Sequence, residues 1–457
     1  MVNFLLSSFS GLLLSFAFDP VGKWYLAPIA LSLHMLALDR THRKFLSIIG
    51  FALTFNAFLL HWSSTYVGST PWLILASGLA LFYLPLGLSK YWGISSYPFL
   101  FVVGEELRNS FPFGGFGWGR IAYSQADAPY ANIAYYAGAI SLSAVTLLIA
   151  LFLFLLFRKR FQGWILFPIF ICLIPIHVNE QGNTNVLIVQ GNVPEYGLNF
   201  NARARQVFYN HVEETNKALG NVTPVDFILW PENAVDIDPF TNKEVSETLS
   251  KYDIPLIVGA IVDKNNKTFN TSILWRKNKQ TIYIKQHLTP FGEYVPLRWL
   301  ARKISPLVDQ VKDFSPGNHS KIFEIDSAKI APVICYELID DTILVRAAKT
   351  SNILAIQTNS ATFGRSAESA QQLSITRVRA IEHSRNTISV STTGYSAVIN
   401  SRGEVVRKTA MGQAAHIVAS VGLIDSQSVR DRLGHWAEIL TLLWLLLSSR
   451  RGLPLRR

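Results

Sequence analysis

The sequence predicts a polytopic α-helical membrane protein that carries a mixed α/β domain outside the bilayer. Three observations predict it. Apolar residues make up 49% of the 457-residue chain, at a mean hydropathy of +0.25. They concentrate before residue 180, in runs such as AISLSAVTLLIALFLFLLF, and return near the end in AEILTLLWLLLSS. Between these regions, short Ile- and Val-rich runs alternate with polar stretches.

A helix of about twenty apolar residues crosses the ~30 Å hydrocarbon core. Eight candidate spans follow, at roughly 3–18, 22–39, 45–62, 71–89, 91–107, 130–157, 162–178 and 436–449. The first has no basic leader and no small-residue cleavage site, so it reads as a retained helix. Lys and Arg favour cytoplasmic loops. DRTHRKF, Lys90, RKRF and the tail SSRRGLPLRR fall on one side, and only Lys23, Arg108 and Arg120 on the other. The expected organisation is a seven-helix region over 1–179, a domain outside the membrane over 180–430, and a last helix with a basic cytoplasmic tail over 431–457. FPFGGFGWG and Trp62, Trp72, Trp92 and Trp436 fit an interfacial aromatic belt.

The net charge of +11 is mostly topology. Residues 180–430 hold 27 Lys and Arg against 24 Asp and Glu, leaving the excess to the apolar regions. No basic stripe points to nucleic acid. The two cysteines make no disulfide framework, and Cys172 reads as a packing residue of the seventh span.

Within 184–425, NVLIVQ, DFILW, IPLIVGAIV, TIYIK, KIAPVIC, NILAIQ, TISVST, SAVIN and HIVASV read as buried strands. ARARQVFYNHVEETNKAL and ESAQQLSITRVRAIEHSR space apolar residues three or four apart, as helices do. The sum is a layered α/β or α+β domain. There is no P-loop, no GxGxxG opening a helix, and no HxxxH or CxxC spacing. Neither a nucleotide nor a metal is indicated, and no cofactor is expected.

Reactive groups recur at strand ends. FILWPEN carries Glu232, TIYIKQHLTPFGEYVP carries Lys285 and Glu293, and APVICYE carries Cys335 and Glu337. Singly, each has an ordinary reading: a turn glutamate, a solvated edge lysine, a packed cysteine. Together they supply what acyl transfer needs, namely a thiol nucleophile, a carboxylate base and a cation for the oxyanion. A thiol is weak until deprotonated, so the base or the cation must lie near it.

WPEN, IKQHLTPFGEYVP and VICYE resemble the Glu, Lys and Cys motifs of the nitrilase superfamily. With the flanking spans, GEELRNSFPFGGFGWGRIAYSQAD and VQGNVP, nearly the whole chain resembles that superfamily's membrane branch, the apolipoprotein N-acyltransferases. The resemblance implies an αββα sandwich facing the periplasm on a multi-pass protein of the inner membrane. It implies that Cys335 takes an acyl chain from a phospholipid, from sn-1 of phosphatidylethanolamine, as a thioester. The chain then passes to the α-amino group of a diacylglyceryl-cysteine on an apolipoprotein. Glu232 is the implied base and Lys285 the oxyanion cation, with Glu293 and Glu337 supporting. Tyr336, Phe200 and Asn359 are the implied substrate contacts, and the protein is expected to act as a monomer.

TNSATFGRSAESAQQL departs from the family's pattern. Asn359, Phe363 and Gly364 match, whereas Ser360, Thr362 and Gln372 replace Asp, Trp and His. Phe200 stands near an expected Trp, and Ser391 or Thr392 near an expected Asn. These departures put the acceptor or lipid pocket in doubt. Two other readings compete: a membrane-tethered amidase with water as second nucleophile, and a non-catalytic membrane scaffold.

Overall fold

The computed structural model describes residues 1–65, 68–193, 205–220, 224–303, 308–309 and 311–451. The chain divides into two units, Met1–His177 with Ser428–Arg457, and Val178–Gln427.

The first unit is helical: α1 (Val2–Ser15), α2 (Leu26–Asp39), α3 (Lys44–Leu59), α4 (Ser69–Ala80), α5 (Ser89–Trp92), α6 (Tyr97–Ser110) and α7 (Ile133–Phe157). Between α4 and α5 the helix tightens to a 3-10 stretch, Leu81–Leu88, around Pro85, which cannot donate to an α-helical ladder. The seventh expected span is not an α-helix. Gly163–Leu173 is a 3-10 stretch, and it gives way to extended chain at Ile174. Among the described residues, two helices are long and apolar enough to cross a membrane, Ser69–Trp92 and Ile133–Phe157. Val2–Ser15, Leu26–Asp39, Lys44–Leu59 and His435–Ser449 are apolar but shorter. By length and composition, two of the eight expected spans are met among the described residues.

The second unit contains α8 (Gln206–Leu219), α9 (Lys243–Ser250), α10 (Arg298–Ala301), α11 (Asp341–Thr350) and α12 (Glu368–His383). Helices α13 (Val429–Leu433) and α14 (His435–Arg451) then close the first unit. The strands of the second unit are β1 (Asn183–Gln190), β2 (Phe227–Leu229), β3 (Leu256–Lys264), β4 (Lys267–Arg276), β5 (Lys279–Ile284), β6 (Phe323–Ile325), β7 (Ala328–Ile334), β8 (Ile353–Thr358), β9 (Asn386–Ser391), β10 (Ala397–Ile399), β11 (Val405–Lys408) and β12 (Ala415–Gly422). They form two six-stranded sheets, ordered β12-β1-β2-β3-β4-β5 and β11-β10-β9-β8-β7-β6.

Side-chain alternation explains the layering. Val186 and Ile188 of β1 point into a core shared with Ile334, Ile353 and Ile388 of the other sheet. Leu187 and Val189 point the other way, to Phe208 of α8 and Val245 and Leu249 of α9. On the second sheet, Leu373 and Ala380 of α12 cover Ala397 and Ile399. The result is an αββα sandwich. Local signals fix its helices: Asn242 caps α9 by accepting from Val245 N at 3.1 Å, and Asp340 caps α11.

The pairing also sets which strand ends coincide. β1, β2 and β3 run parallel, and β3–β4–β5 is antiparallel, so β2 and β5 end on the same side of their sheet. β3 passes directly behind the turn after β2. A Cβ on Gly259 would lie 2.3 Å from Pro231 O and 2.6 Å from the Glu232 Cα. Gly259→Ala should therefore displace the Glu232 turn. Overpacking of this kind costs about 1–3 kcal/mol. The expected result is a lowered melting temperature in a thermal-shift measurement, with loss of activity out of proportion to the unfolded fraction.

Candidate active site

Lys285 follows β5 directly, where its N–H donates to Asn270 O at 2.9 Å and continues the β4–β5 ladder. The side chain is fully buried. Its Nζ lies 2.8 Å from Glu293 Oε2 and 3.2 Å from Glu232 Oε1, with Thr289 Oγ1 at 3.4 Å. Asn270, on β4, donates from one Nδ2 to both carboxylates, at 2.8 Å to Glu232 and 2.6 Å to Glu293. Glu293 sits in a tight loop and also accepts from Thr289 N at 2.7 Å. The loop's backbone turns on Phe291, at φ 63°.

Cys335 begins the 3-10 turn Cys335–Ile339 at the end of β7, with φ 49°. A non-glycine residue in the left-handed region is uncommon and carries strain that the surroundings must hold. Glu337 supplies much of that hold. Fully buried, it accepts from Ile334 N at 2.7 Å, just before the cysteine. It also accepts from Gln286 N at 2.6 Å, just after the lysine, and from Tyr283 Oη at 2.7 Å. One carboxylate therefore ties the cysteine turn of one sheet to the lysine turn of the other. Burial raises its pKa to about 6, offset in part by these donors.

The electrostatics divide the two glutamates around Lys285. Burial raises Glu232 and its neighbour Glu293 raises it further, and these outweigh Lys285 and Asn270. For Glu293 burial is overcome by Lys285, Asn270 and the Thr289 N–H, and the net shift is downward. Burial opposes the charge on Lys285, but Glu232 and Glu293 prevail and raise its pKa. The Cys335 thiol is pushed well up, first by burial and then by the Glu232 charge, with Lys285 working against both. At rest the site therefore favours a neutral thiol, a charged Lys285 and an ionised Glu293, with Glu232 the carboxylate whose pKa is raised.

The other expected contacts are placed as follows. Tyr336 is buried, edge-on to His287 with ring centroids 5.2 Å apart, and His287 pairs with Asp340 at 2.9 Å. Asn359 Oδ1 accepts from Ala361 N at 3.0 Å and Thr392 Oγ1 at 2.7 Å, which joins the turns after β8 and β9. Phe200 lies outside the described residues. Gln372, the departure at the expected His, places Nε2 3.7 Å from Cys335 Sγ.

Two residues escape a reading of the sequence. Asn270 is buried within β4, and an Asn inside a strand was the available signal, since strands are depleted in it. Glu368 opens α12, is 2% exposed, and its charge interacts with Glu232 and Cys335. A glutamate in a first helical turn reads as an ordinary response to the helix dipole, which concealed it.

The sandwich and its strand-end groups define a protein of the carbon-nitrogen hydrolase class, and residues 188–431 match the carbon-nitrogen hydrolase family. Residues 10–152 match the apolipoprotein N-acyltransferase N-terminal domain. The apolipoprotein N-acyltransferase of Mycolicibacterium smegmatis is 33% identical over 89% of this chain and 78% of its own. That of Geobacter metallireducens is 27% identical over 94% of this chain and 92% of its own. The chain belongs to the apolipoprotein N-acyltransferase family. Among solved structures, an amidase from Nesterenkonia sp. covers 57% of this chain and 98% of its own, at 13% identity and a TM-score of 0.40.

Asn270 lowers the Glu232 pKa through its hydrogen bond. Asn270→Ala should raise that pKa, so the acidic limb of the pH–rate profile should move to higher pH. Activity at neutral pH should fall about tenfold or more, since a hydrogen bond to a charged group contributes about 1.5–3 kcal/mol. A profile of kcat/KM between pH 5 and 9 measures both.

Proposed function

We propose that this protein N-acylates lipoproteins by a ping-pong reaction through a thioester on Cys335. The observation that carries the reading is Lys285 held between Glu232 and Glu293 at 3.2 and 2.8 Å. Glu232 is the one of the two carboxylates inclined to hold a proton. In the first half-reaction Glu232 takes the Cys335 proton as sulfur attacks the sn-1 ester of a phospholipid, with phosphatidylethanolamine as the donor. Lys285 and backbone N–H groups near residue 336 bind the tetrahedral oxyanion. One such preorganised donor is worth about 2.7–4 kcal/mol. The C–O bond breaks, Glu232 returns the proton to the departing alkoxide, and lysophospholipid leaves.

In the second half-reaction the α-amino nitrogen of a diacylglyceryl-cysteine attacks the thioester. Glu232 moves the nitrogen's proton to the sulfur, and the N-acylated lipoprotein departs. Glu293 orients Lys285, Glu337 orients both turns, and Tyr336, Phe200 and Asn359 are assigned to the substrates. The reading needs no metal or cofactor. The apolar spans carry the site at the inner membrane with its sandwich toward the periplasm, acting as a monomer. A lipid donor has a negligible free concentration in water, so a site at the bilayer meets both substrates where they already reside.

Incubation of detergent-purified protein with phosphatidylethanolamine should produce a hydroxylamine-labile acyl adduct by intact mass, with lysophospholipid released. Cys335→Ala should produce neither. Release of ammonia from amide substrates, with no adduct from phospholipid, would replace this reading with the amidase one.

A further inference from the structure

The acceptor nitrogen must lose two protons, and the scheme above accounts for one. An N-terminal α-amino group has a pKa of about 7.7–8.0 and is largely ammonium at neutral pH. An ammonium has no lone pair and cannot attack a thioester. One proton must leave before attack, and a second is lost during it. The second travels through Glu232 to the Cys335 sulfur, which leaves Glu232 committed.

A second buried carboxyl bears electrostatically on the same thiol. Glu368 is 2% exposed, and its Oε2 has no hydrogen-bond partner among the described residues. It lies in the first turn of α12, one turn before Gln372, whose Nε2 is 3.7 Å from Cys335 Sγ. Ser360 hydrogen-bonds to it, at the position where the family's pattern carries Asp. The charged and titratable groups facing it are Glu232, from the turn after β2, and Cys335, at the end of β7. Lys285 and Glu293 bear on it through Glu232.

We propose that Glu368 is a further catalytic residue, the base that receives the proton of the acceptor's α-ammonium group before that nitrogen attacks the thioester. The inference rests on the acyltransfer reading. The ammonium docks against the Glu368 carboxylate, one N–H bond breaks and one O–H bond forms, and the neutral amine faces the thioester. Glu368 then releases its proton to solvent, and Glu232 handles the proton lost in attack. Burial raises the Glu368 pKa to about 8, with Ser360 pulling it down and Glu232 pushing it up. A group titrating in the range of an α-amino group can take up its proton and give it up again near neutral pH, as a general base must. Glu293, held ionised by Lys285, is too weak a base for this step.

The test separates the half-reactions. Full-length wild type, Glu368→Gln and Ser360→Ala are acylated with phosphatidylethanolamine. Each is then mixed with a synthetic diacylglyceryl-cysteine peptide between pH 6 and 10, and adduct formation and discharge are followed by intact mass. Near pH 8 Glu368→Gln should slow discharge about 100-fold, in the range of general-base effects. It should slow adduct formation at least tenfold less than that. The deficit in discharge should shrink above pH 9, where the amine is already neutral. Ser360→Ala removes a hydrogen bond that favours the carboxylate, so its discharge profile should move to higher pH. Equal slowing of both steps, or a deficit independent of pH, overturns the proposal. If Glu368→Gln does not fold, an unmoved profile in Ser360→Ala overturns it. No adduct on wild type at all would instead overturn the acyltransfer reading, and this inference with it.

Discussion

A single buried cation organises the catalytic unit. Lys285 is fully buried, and an unpaired ammonium in an apolar interior is too costly to keep its charge. Two carboxylates and one shared amide meet that demand. Each comes from a separate segment: Glu232 from the turn after β2, Glu293 from the loop after β5, and Asn270 from within β4. Two carboxylates around one lysine leave an excess negative charge, which the environment distributes unequally. Glu293, with Lys285 at 2.8 Å and a backbone donor, takes the ionised role. Glu232 is left with a raised pKa, as its proposed role of general base asks.

The same constraint explains the backbone around it. The turn after β2 must bring Glu232 to Lys285 while β3 runs behind it, and only a residue without a Cβ fits at 259. The cysteine turn must face the lysine turn across the stacked sheets, and Glu337 fixes that distance by accepting from both. The strained φ of Cys335 is held by this clamp and by the β7–β8 ladder on one side. Glu337 thus acts on the chemistry through position.

Much of this was legible in the sequence because strand ends are marked by composition. The Ile- and Val-rich runs before Glu232, Lys285 and Cys335 are the strands β2, β5 and β7, and period-two alternation gives the two-faced packing of β1. The convergence of the three was not legible. It depends on which strands pair and how two sheets stack, and those contacts join residues 232, 285 and 335 across long stretches of chain. Helix type was partly hidden as well. Apolar runs at 71–89 and 162–178 satisfy a hydropathy count, yet parts of both take 3-10 geometry, the first around Pro85. Hydropathy measures how a segment partitions, while proline decides how its backbone bonds.

The thiol's environment bears on why a third carboxyl belongs beside it. Burial and the surrounding carboxylates push the Cys335 pKa well up, so in the proposed scheme the sulfur becomes nucleophilic only while Glu232 removes its proton. That arrangement suits a donor ester, which brings no ionisable group to the reacting carbon. Under the proposed scheme it suits an amine acceptor less well, because the ammonium arrives carrying a proton that Glu232 cannot take without abandoning its exchange with sulfur. A site proposed to serve both substrates calls for a second acid–base group outside the Lys285 cluster, with a pKa near that of the amine. Glu368, coupled to Glu232 by charge but bonded to Ser360 instead of Lys285, occupies that electrostatic position. Burial keeps its pKa high, just as contact with the cation makes Glu293 low.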